Sequence, residues 1–407
     1  MTTRLLRRLA GRAGMRLGVA VCVVRPAGVA AVATAAAAAA VTAASPAIAL
    51  AAAAPHRQMP HSTGAVPGRG LTLAQAPAGL PAAVRRTLGL PAVAAAASQQ
   101  AKLTAADAAA NDSFGWSVAV SGSTAVVGAY GKNSNTGAAY VFTRSGSTWS
   151  QRAKLPATGV AAGDYFGYSV AVSGSTVVVG APATSPNTGA AYVFTGSGST
   201  WTQRAKLTAT GGAPGDRFGY AVALSGSVAV IGATGSNSNT GAAYVFTGSG
   251  STWTQQAKLT AADGAAGDYF GYAVALSGST ALVGAPGKST STGAAYVYAG
   301  SGSSWPQQAE LTAADARAGD KFGISVAIAG PTAVVGAPLN NAGSGAAYVF
   351  TSPDLASSWP QQAKLTAAAA APGDHFGNSV TLSGSTAAVG APGKNSNTGT
   401  AYVFAGV

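Results

Sequence analysis

Carboxylates that recur at a fixed interval are the first candidates for chemistry in this sequence. An aspartate stands two residues before each of six Phe-Gly dipeptides; the six are Asp112, Asp164, Asp216, Asp268, Asp320 and Asp374. One acid per repeat would place a ring of carboxylates at one end of a repeating fold, where it could bind a weakly held cation or a polar ligand. The alternative, which we favour, is a turn carboxylate that accepts backbone N–H bonds.

Asparagines form a second recurring set, in the polar loops between apolar segments. They are Asn133, Asn135, Asn187, Asn237, Asn239, Asn395 and Asn397, and Lys132, Lys288 and Lys394 stand in the same loops. Amide groups of this kind can bind the hydroxyls of a sugar. Asparagine is also a common turn former, because it tolerates the left-handed backbone conformation, and this second role is the one we favour.

Tryptophans recur once per repeat in five of the six repeats. They are Trp149, Trp201, Trp253, Trp305 and Trp359. Exposed indole rings could stack on glycans, but packing between neighbouring sheets is the explanation that we prefer for a regularly spaced aromatic residue. Trp116 stands apart from this set, at a position that holds Tyr, Ile or Asn in the other repeats.

A catalytic constellation is not evident in the sequence. His56 and His61 lie far from the repeats, and His375 has no histidine at the equivalent position of any other repeat. The only glutamate is Glu310, and the only cysteine is Cys22, near the N-terminus. A nucleophile, a base and an orienting group therefore cannot be assembled, and we expect a protein that is not an enzyme. A secreted hydrolase that uses an aspartate or His375 remains an alternative.

The elements that must position these residues follow from an internal repeat. Phe-Gly recurs at Phe114, Phe166, Phe218, Phe270, Phe322 and Phe376, with a spacing of 52 residues and finally 54. A unit such as FGYSVAVSGSTVVVGAP followed by AAYVFTGSGSTWTQRAKLTA reads as four short strands joined by Gly-Ser turns. Six units of four antiparallel strands predict an all-β, six-bladed β-propeller.

The two ends of the repeat region suggest how this propeller closes. The last unit stops before its fourth strand, while an additional Ala-Lys-Leu stands at residues 101–103, before the first unit. We therefore expect residues 98–105 to form the outer strand of the last blade and so to close the ring.

The pattern FG…GAP, repeated six times, resembles the FG-GAP repeat of integrin alpha-subunit propellers and of secreted bacterial proteins. GAP itself is kept at Pro182, Pro286, Pro338 and Pro392. Integrin propellers have seven blades and carry acidic calcium loops between the Phe-Gly strand and the GAP strand. This chain has Ser-Gly-Ser-Thr or a variant at that place, which offers no carboxylate. We expect no cofactor, while weak calcium binding stays open.

Charge and composition divide the chain near residue 100. Its formal net charge is +13, but ten arginines and no acidic residue lie before residue 101, so the remainder is nearly neutral. This distribution argues against nucleic-acid binding. Arginines followed by apolar, alanine-rich stretches predict a signal peptide at residues 1–49, and proline and alanine predict a pro-segment or linker at 50–97. The propeller then spans 98–407.

The functional expectation is a non-catalytic binding or adhesion scaffold, secreted or at the cell surface. Its loop-rich side would engage a protein or glycan on a cell surface or in the matrix. A carbohydrate-binding lectin is one alternative, and a repeat without any specific ligand is another. We expect a monomer with no stable membrane span. Retention of the leader as a membrane anchor remains open, because the cleavage site and the start codon are not fixed by the sequence.

Overall fold

A computed structural model describes the chain at residues 100–354 and 358–407. The signal peptide predicted at 1–49 and the linker predicted at 50–97 lie outside the described residues. Residues Leu103–Val407 fall within one compact unit. Within the described residues, none of the helices is long and apolar enough to cross a membrane.

The described residues form 23 strands, arranged as six antiparallel sheets. The innermost strands are β1 (Ser117–Ser121), β5 (Ser169–Ser173), β9 (Phe218–Ser225), β13 (Ala273–Ser277), β17 (Ser325–Ala329) and β21 (Ser379–Ser383). The second strands are β2 (Thr124–Ala129), β6 (Thr176–Ala181), β10 (Val228–Ala233), β14 (Thr280–Ala285), β18 (Thr332–Ala337) and β22 (Thr386–Ala391).

The third strands are β3 (Ala138–Ser145), β7 (Ala190–Ser197), β11 (Ala242–Ser249), β15 (Ala294–Ala299), β19 (Ala346–Thr351) and β23 (Thr400–Ala405). The fourth strands are β4 (Thr148–Lys154), β8 (Thr200–Leu207), β12 (Thr252–Leu259), β16 (Gln307–Leu311) and β20 (Gln361–Leu365). The sheets follow one another as the six blades of a β-propeller, which confirms the predicted fold class.

A single irregular helical turn lies between the second and third strand of each sheet. These turns are α1 (Lys132–Asn135), α2 (Thr184–Asn187), α3 (Ser236–Asn239), α4 (Lys288–Ser291), α5 (Asn340–Gly343) and α6 (Lys394–Asn397). Each contains residues with non-helical backbone angles, so the turns work as polar loops.

Burial on both faces explains why the inner three strands are apolar. In β6, Val177, Val178 and Val179 are all fully buried, although their side chains alternate between the two faces of the sheet. One face packs on the preceding sheet and the other on the following one. The tight turn before β6 contains Gly174 in the left-handed conformation, with φ 57°, as a two-residue hairpin requires.

The fourth strands are the polar outer edges of the sheets. In β8, the alternating residues are exposed or half-buried, and only Trp201 and Leu207 are buried. Pro306 and Pro360 stand immediately before β16 and β20, because proline cannot donate to the ladder within a strand.

The sixth sheet differs from the prediction. It contains only β21, β22 and β23, and the described residues of the expected closing segment, 100–105, form no strand. Leu103 and Ala105 instead pack on the first sheet, beside Val127 and Phe142. The prediction of four strands in every blade is therefore wrong for the last one, and the closure that we expected from residues 98–105 is not seen.

Candidate functional site

The candidate binding surface is the side of the propeller that carries the longer loops. We call it the loop-rich face: the loops between the second and third strands, together with the loops that lead from one sheet to the next. The short hairpins between the first and second strands, such as that at Gly174, lie on the other side. Both sets of residues predicted as sites, the aspartates and the asparagines, lie in the loops of the loop-rich face.

The six aspartates are buried, with relative exposures between 4% and 7%. Each accepts a hydrogen bond from the backbone N–H three residues earlier, at distances of 2.7 to 3.0 Å. This is the contact of a turn carboxylate. One acid stands in each sheet, and within the described residues no three His, Cys, Asp or Glu side chains gather closely enough to share a metal ion.

Lysine side chains reach several of these aspartates. Lys132 Nζ lies 2.8 Å from Asp112, and Lys394 Nζ lies 2.8 Å from Asp374. The hydrogen bond from Lys394 holds the pKa of Asp374 below its ordinary value. In the fifth sheet the amide of Asn340 takes the place of the lysine and donates to Asp320. These carboxylates are therefore engaged inside the protein.

A further row of carboxylates was missed by the sequence analysis. Asp107, Asp263 and Asp315 each stand five residues before one of the recurring aspartates and accept a hydrogen bond from a buried tyrosine hydroxyl. Lys154 donates to Asp107 at 2.9 Å, and this bond, with that from Tyr140, lowers the pKa of Asp107 to about 2. The spacing of five from the recurring aspartate was the signal that could have found them.

The asparagines occupy left-handed backbone positions, with φ between 50° and 69°. This conformation is unfavourable for most residues and is well tolerated by asparagine. The backbone carbonyls of Asn135, Asn187 and Asn239 accept hydrogen bonds of 2.8 to 2.9 Å from backbone N–H groups of the following sheet's loop. The asparagines therefore connect adjacent loops, and most of their side chains are exposed on the loop-rich face.

One residue in each sheet combines a strained backbone with a variable side chain. The residue directly before each Phe-Gly phenylalanine has φ between 55° and 61°; the set is Ser113, Tyr165, Arg217, Tyr269, Lys321 and His375. A left-handed conformation is uncommon for such residues, and strain of this kind concentrates at functional sites. Arg217, Tyr269 and Lys321 are exposed. His375 is thus one member of a row and not a separate site.

The most distinctive feature of the loop-rich face is a row of aromatic rings, which we call the aromatic arc. It consists of Trp116, Tyr168, Tyr220 and Tyr272, the residues that follow Phe-Gly in the first four sheets. Their ring centroids are separated by 5.6, 5.4 and 5.2 Å in that order. Each ring is half-buried at the entry of an innermost strand. Ile324 and Asn378 hold the equivalent positions in the last two sheets, so the arc covers four of the six.

Two more tyrosines extend the first end of the arc. The ring of Tyr130 packs against Trp116 at 4.7 Å and against Tyr165 at 5.6 Å. The indole Nε1 of Trp116 is buried and has no hydrogen-bond partner within the described part of the chain. The sequence showed these residues as members of a repeat, but their approach to one another depends on the spacing between sheets, which the sequence does not show.

Three of the five recurring tryptophans are buried between neighbouring sheets as predicted, while Trp149 and Trp253 are half-buried. Trp201, Trp305 and Trp359 are 6% to 7% exposed and belong to the clusters between neighbouring sheets. The indole N–H groups of Trp201 and Trp305 each donate to a glycine carbonyl in their own hairpin, at 3.1 Å. A glycan would not find these rings free for stacking.

Comparison with known proteins gives one family. The model of the FG-GAP repeat matches six segments, at residues 97–142, 149–194, 201–246, 253–298, 305–350 and 359–404, which together cover more than half of the chain. No curated protein matches the sequence at a significant level.

Two solved structures illustrate the more distant similarity. Sqt1 from Chaetomium thermophilum is 16% identical, with 72% of this chain and 69% of that chain aligned and a TM-score of 0.44. A candidate 6-phosphogluconolactonase from Bacteroides fragilis is 9% identical, with 74% of this chain and 86% of that chain aligned and a TM-score of 0.47.

Proposed function

Because the chain belongs to the FG-GAP repeat family, we propose that it is a non-catalytic binding scaffold, secreted or held at the cell surface, whose loop-rich face engages a protein or a glycan. The aromatic arc is the observation that carries this proposal. Aromatic side chains provide a large contact area with few rotatable bonds, and they are enriched where proteins bind their ligands.

The row of residues with a left-handed backbone, next to the arc, also favours the loop-rich face as the binding surface. Arg217, Tyr269 and Lys321 present large or charged side chains from positions where glycine or asparagine would relieve the backbone strain. The fold does not require these side chains, since the equivalent residue of the first sheet is Ser113. A role in contact with a ligand would account for large or charged side chains at these positions.

A lectin is the second candidate, and the spacing of the arc favours it. Four rings that follow one another at 5.2 to 5.6 Å present a continuous aromatic surface to the apolar faces of consecutive sugars. The exposed asparagine amides around the arc would then bind sugar hydroxyls.

The test is binding to an array of defined oligosaccharides and to proteins extracted from cell surfaces, followed by titration of each ligand found against tryptophan fluorescence. The variants Tyr168→Ala, Tyr220→Ala and Tyr272→Ala should each weaken binding about tenfold. The matched control changes exposed hairpin residues of the opposite side, Ser123→Ala, Ser175→Ala and Ser227→Ala. Equal binding by the two groups of variants would contradict the proposal, as would the absence of any ligand.

A further inference from the structure

Five junctions between neighbouring sheets share one set of backbone contacts. A parallel bridge joins a glycine before the third strand of one sheet to the Phe-Gly phenylalanine of the next; the pairs are Gly137–Phe166, Gly189–Phe218, Gly241–Phe270, Gly293–Phe322 and Gly345–Phe376. At three of the junctions a buried serine hydroxyl also donates to a glycine carbonyl of the next sheet at 2.8 Å, as Ser325 does to Gly377. The repeat therefore reproduces one inter-sheet geometry five times.

The sixth junction, between the last sheet and the first, lacks this set of contacts within the described residues. Gly399 and Phe114 form no bridge, although they hold the equivalent positions. A side chain added at Gly336 would overlap the backbone of Gly377 in the next sheet, whereas one added at Gly390 would meet only its own sheet, at Ser379. With this packing at all five junctions, the first and last sheets thus share neither the bridge nor the close glycine approach.

Two apolar sheet faces are uncovered as a result. In β19 of the fifth sheet Val349 is 1% exposed, whereas the equivalent Val403 of β23 is 59% exposed. Thr381, Ala388 and Ala401 on the same face of the sixth sheet are half-buried, although their fifth-sheet equivalents are fully buried. The first sheet shows the complementary change: Val118 and Val120 are half-buried, but Val170 and Val172 of the second sheet are buried.

The missing strand and an additional segment match each other. Residues 99–103 read QQAKL, which is the sequence of 255–259 in β12 and of 361–365 in β20. Leu103 and Ala105 pack on the first sheet, as Leu155 and Ala157 pack on the second. Leu103 and Ala105 thus lie against the first sheet as the end of a preceding sheet's fourth strand does at the later junctions, while the last sheet has three strands and no fourth within the described residues.

A cavity lies where that fourth strand would stand. It measures about 440 Å³ and is lined by residues of β19, β20 and β23, including Val349, Leu365 and Phe404. Leu365 is half-buried, whereas the equivalent leucines of the other four sheets are 2% to 4% exposed. The free edge of β23 borders this cavity.

We propose that a second copy of this chain covers the open face, with its first sheet packed on the sixth sheet of its neighbour and its residues 100–103 paired with β23. Closure by the same chain would require a different inter-sheet geometry from the one that all five junctions adopt. A second copy requires no such change, because it repeats a junction that the chain already forms. Such head-to-tail contacts are heterologous, so each copy retains one free face and association can continue.

The register of the new pair follows from the existing sheets. Val349 stands opposite Ala363, and the same relation places Val403 of one copy opposite Ala101 of the next. The test uses the full chain with Cys22→Ser, in which one preparation carries Val403→Cys and another carries Ala101→Cys. Mixed and oxidised, the two should give a disulfide-linked dimer with one chain of each kind. The matched control, Val349→Cys mixed with Ala101→Cys, should give none, because Val349 is already paired.

Other ways of covering the free edge of β23 would give different results in the disulfide experiment. If the chain closes on itself, a double variant with both cysteines forms an internal disulfide and the mixed single variants form no dimer. If neither segment pairs with β23, no disulfide forms in either experiment. Each of these outcomes overturns the proposal.

Sedimentation provides a second measurement that does not depend on introduced cysteines. The mass of the unchanged protein should rise with concentration, and Val403→Asp should raise the dissociation constant about a hundredfold, because the interface would bury an unpaired carboxylate. Tyr269→Asp is the matched control, since Tyr269 is also a large exposed side chain but lies on the loop-rich face. A mass that stays monomeric at every concentration, or equal association of the two variants, would refute association through this face.

Discussion

The junction between the fifth and sixth sheets and the gap between the sixth and first sheets are built from nearly the same residues. At the junction, Phe376 is fully buried and bridged to Gly345, and Ser325 donates across to Gly377. At the gap, the equivalent Phe114 is half-buried and packs only within its own end of the chain. The comparison shows that the same residues are buried where a neighbouring sheet covers them and half-buried where, within the described part of the chain, none does.

Removal of a Phe-Gly phenylalanine should have the largest effect and should show the difference between the two regions. Phe270→Ala removes a fully buried ring that contacts Tyr296 and Tyr298, so it should lower the free energy of unfolding by about 4 kcal/mol. Phe114→Ala should cost about half as much, because one side of its ring is not covered by a preceding sheet. Urea unfolding in dilute solution measures both values, and equal losses would contradict the comparison.

The next largest loss of stability should come from a side chain added where two sheets approach each other closely. Gly336→Ala would place a methyl group on the carbonyl oxygen of Gly377, and we expect a loss of about 3 kcal/mol. At Gly390→Ala the new methyl group meets only the hydroxyl of Ser379, which can rotate, so the loss should stay below about 1 kcal/mol. The check is thermal unfolding of the two variants in dilute solution. A similar shift in both would show that the last sheet does face a neighbour within its own chain.

Removal of the serine hydroxyls should give a smaller difference in the free energy of unfolding, again with the larger loss at the junction. Ser325→Ala removes a buried hydrogen bond of 2.8 Å to the next sheet, which should lower the free energy of unfolding by about 1 kcal/mol. Ser379→Ala removes a hydroxyl that faces no next sheet and should change stability by less than about 0.5 kcal/mol. Chemical denaturation distinguishes these values. A loss of about 1 kcal/mol at Ser379 would argue for a closed ring.

The smallest effect should be the pH dependence that comes from Asp107, at the start of the first sheet. Its pKa of about 2 in the folded protein lies below that of an unfolded aspartate, about 3.8. The carboxylate therefore stabilises the fold above about pH 4, and this contribution is lost as the pH falls towards 2. Because Asp107 is half-exposed, the effect is modest.

Urea unfolding between pH 2 and pH 5 measures this contribution. The variant Asp107→Asn should lose less stability over that range than the unchanged protein does. Gly159 holds the equivalent place in the second sheet, where the tyrosine donates to a backbone carbonyl and no such carboxylate contributes. Parallel pH profiles for variant and unchanged protein would show that the Lys154 and Tyr140 contacts contribute nothing.

The sequence predicted the repeated parts of this molecule well, because local pattern decides them. Alternating apolar residues, Gly-Ser turns and the prolines before β16 and β20 are visible in the chain, and the strands appear where they were expected. The aspartates at positions such as Asp164 also accept the backbone bonds that we favoured for them. Local chemistry decided these features.

Features that depend on distances between sheets were not predicted. The aromatic arc needs the rings of Tyr168 and Tyr220 to meet from neighbouring sheets, and burial of Lys132 against Asp112 needs two loops to converge. The expected ring closure is the clearest case. Residues 99–103 do have the sequence of a fourth strand, but whether such a segment reaches β23 depends on how six sheets are arranged across five junctions, which no local pattern specifies.

Hydrogen exchange of β23 tests the central claim most directly. At low concentration, amides of residues 400–405 should exchange faster than those of 346–351, since β19 is paired on both edges and β23 on only one. As the protein concentration rises, exchange at 400–405 should slow towards that of 346–351, because residues 100–103 of another copy cover the free edge. Slow exchange of both segments at every dilution would contradict the account, since the edge of β23 would then be covered within a single chain.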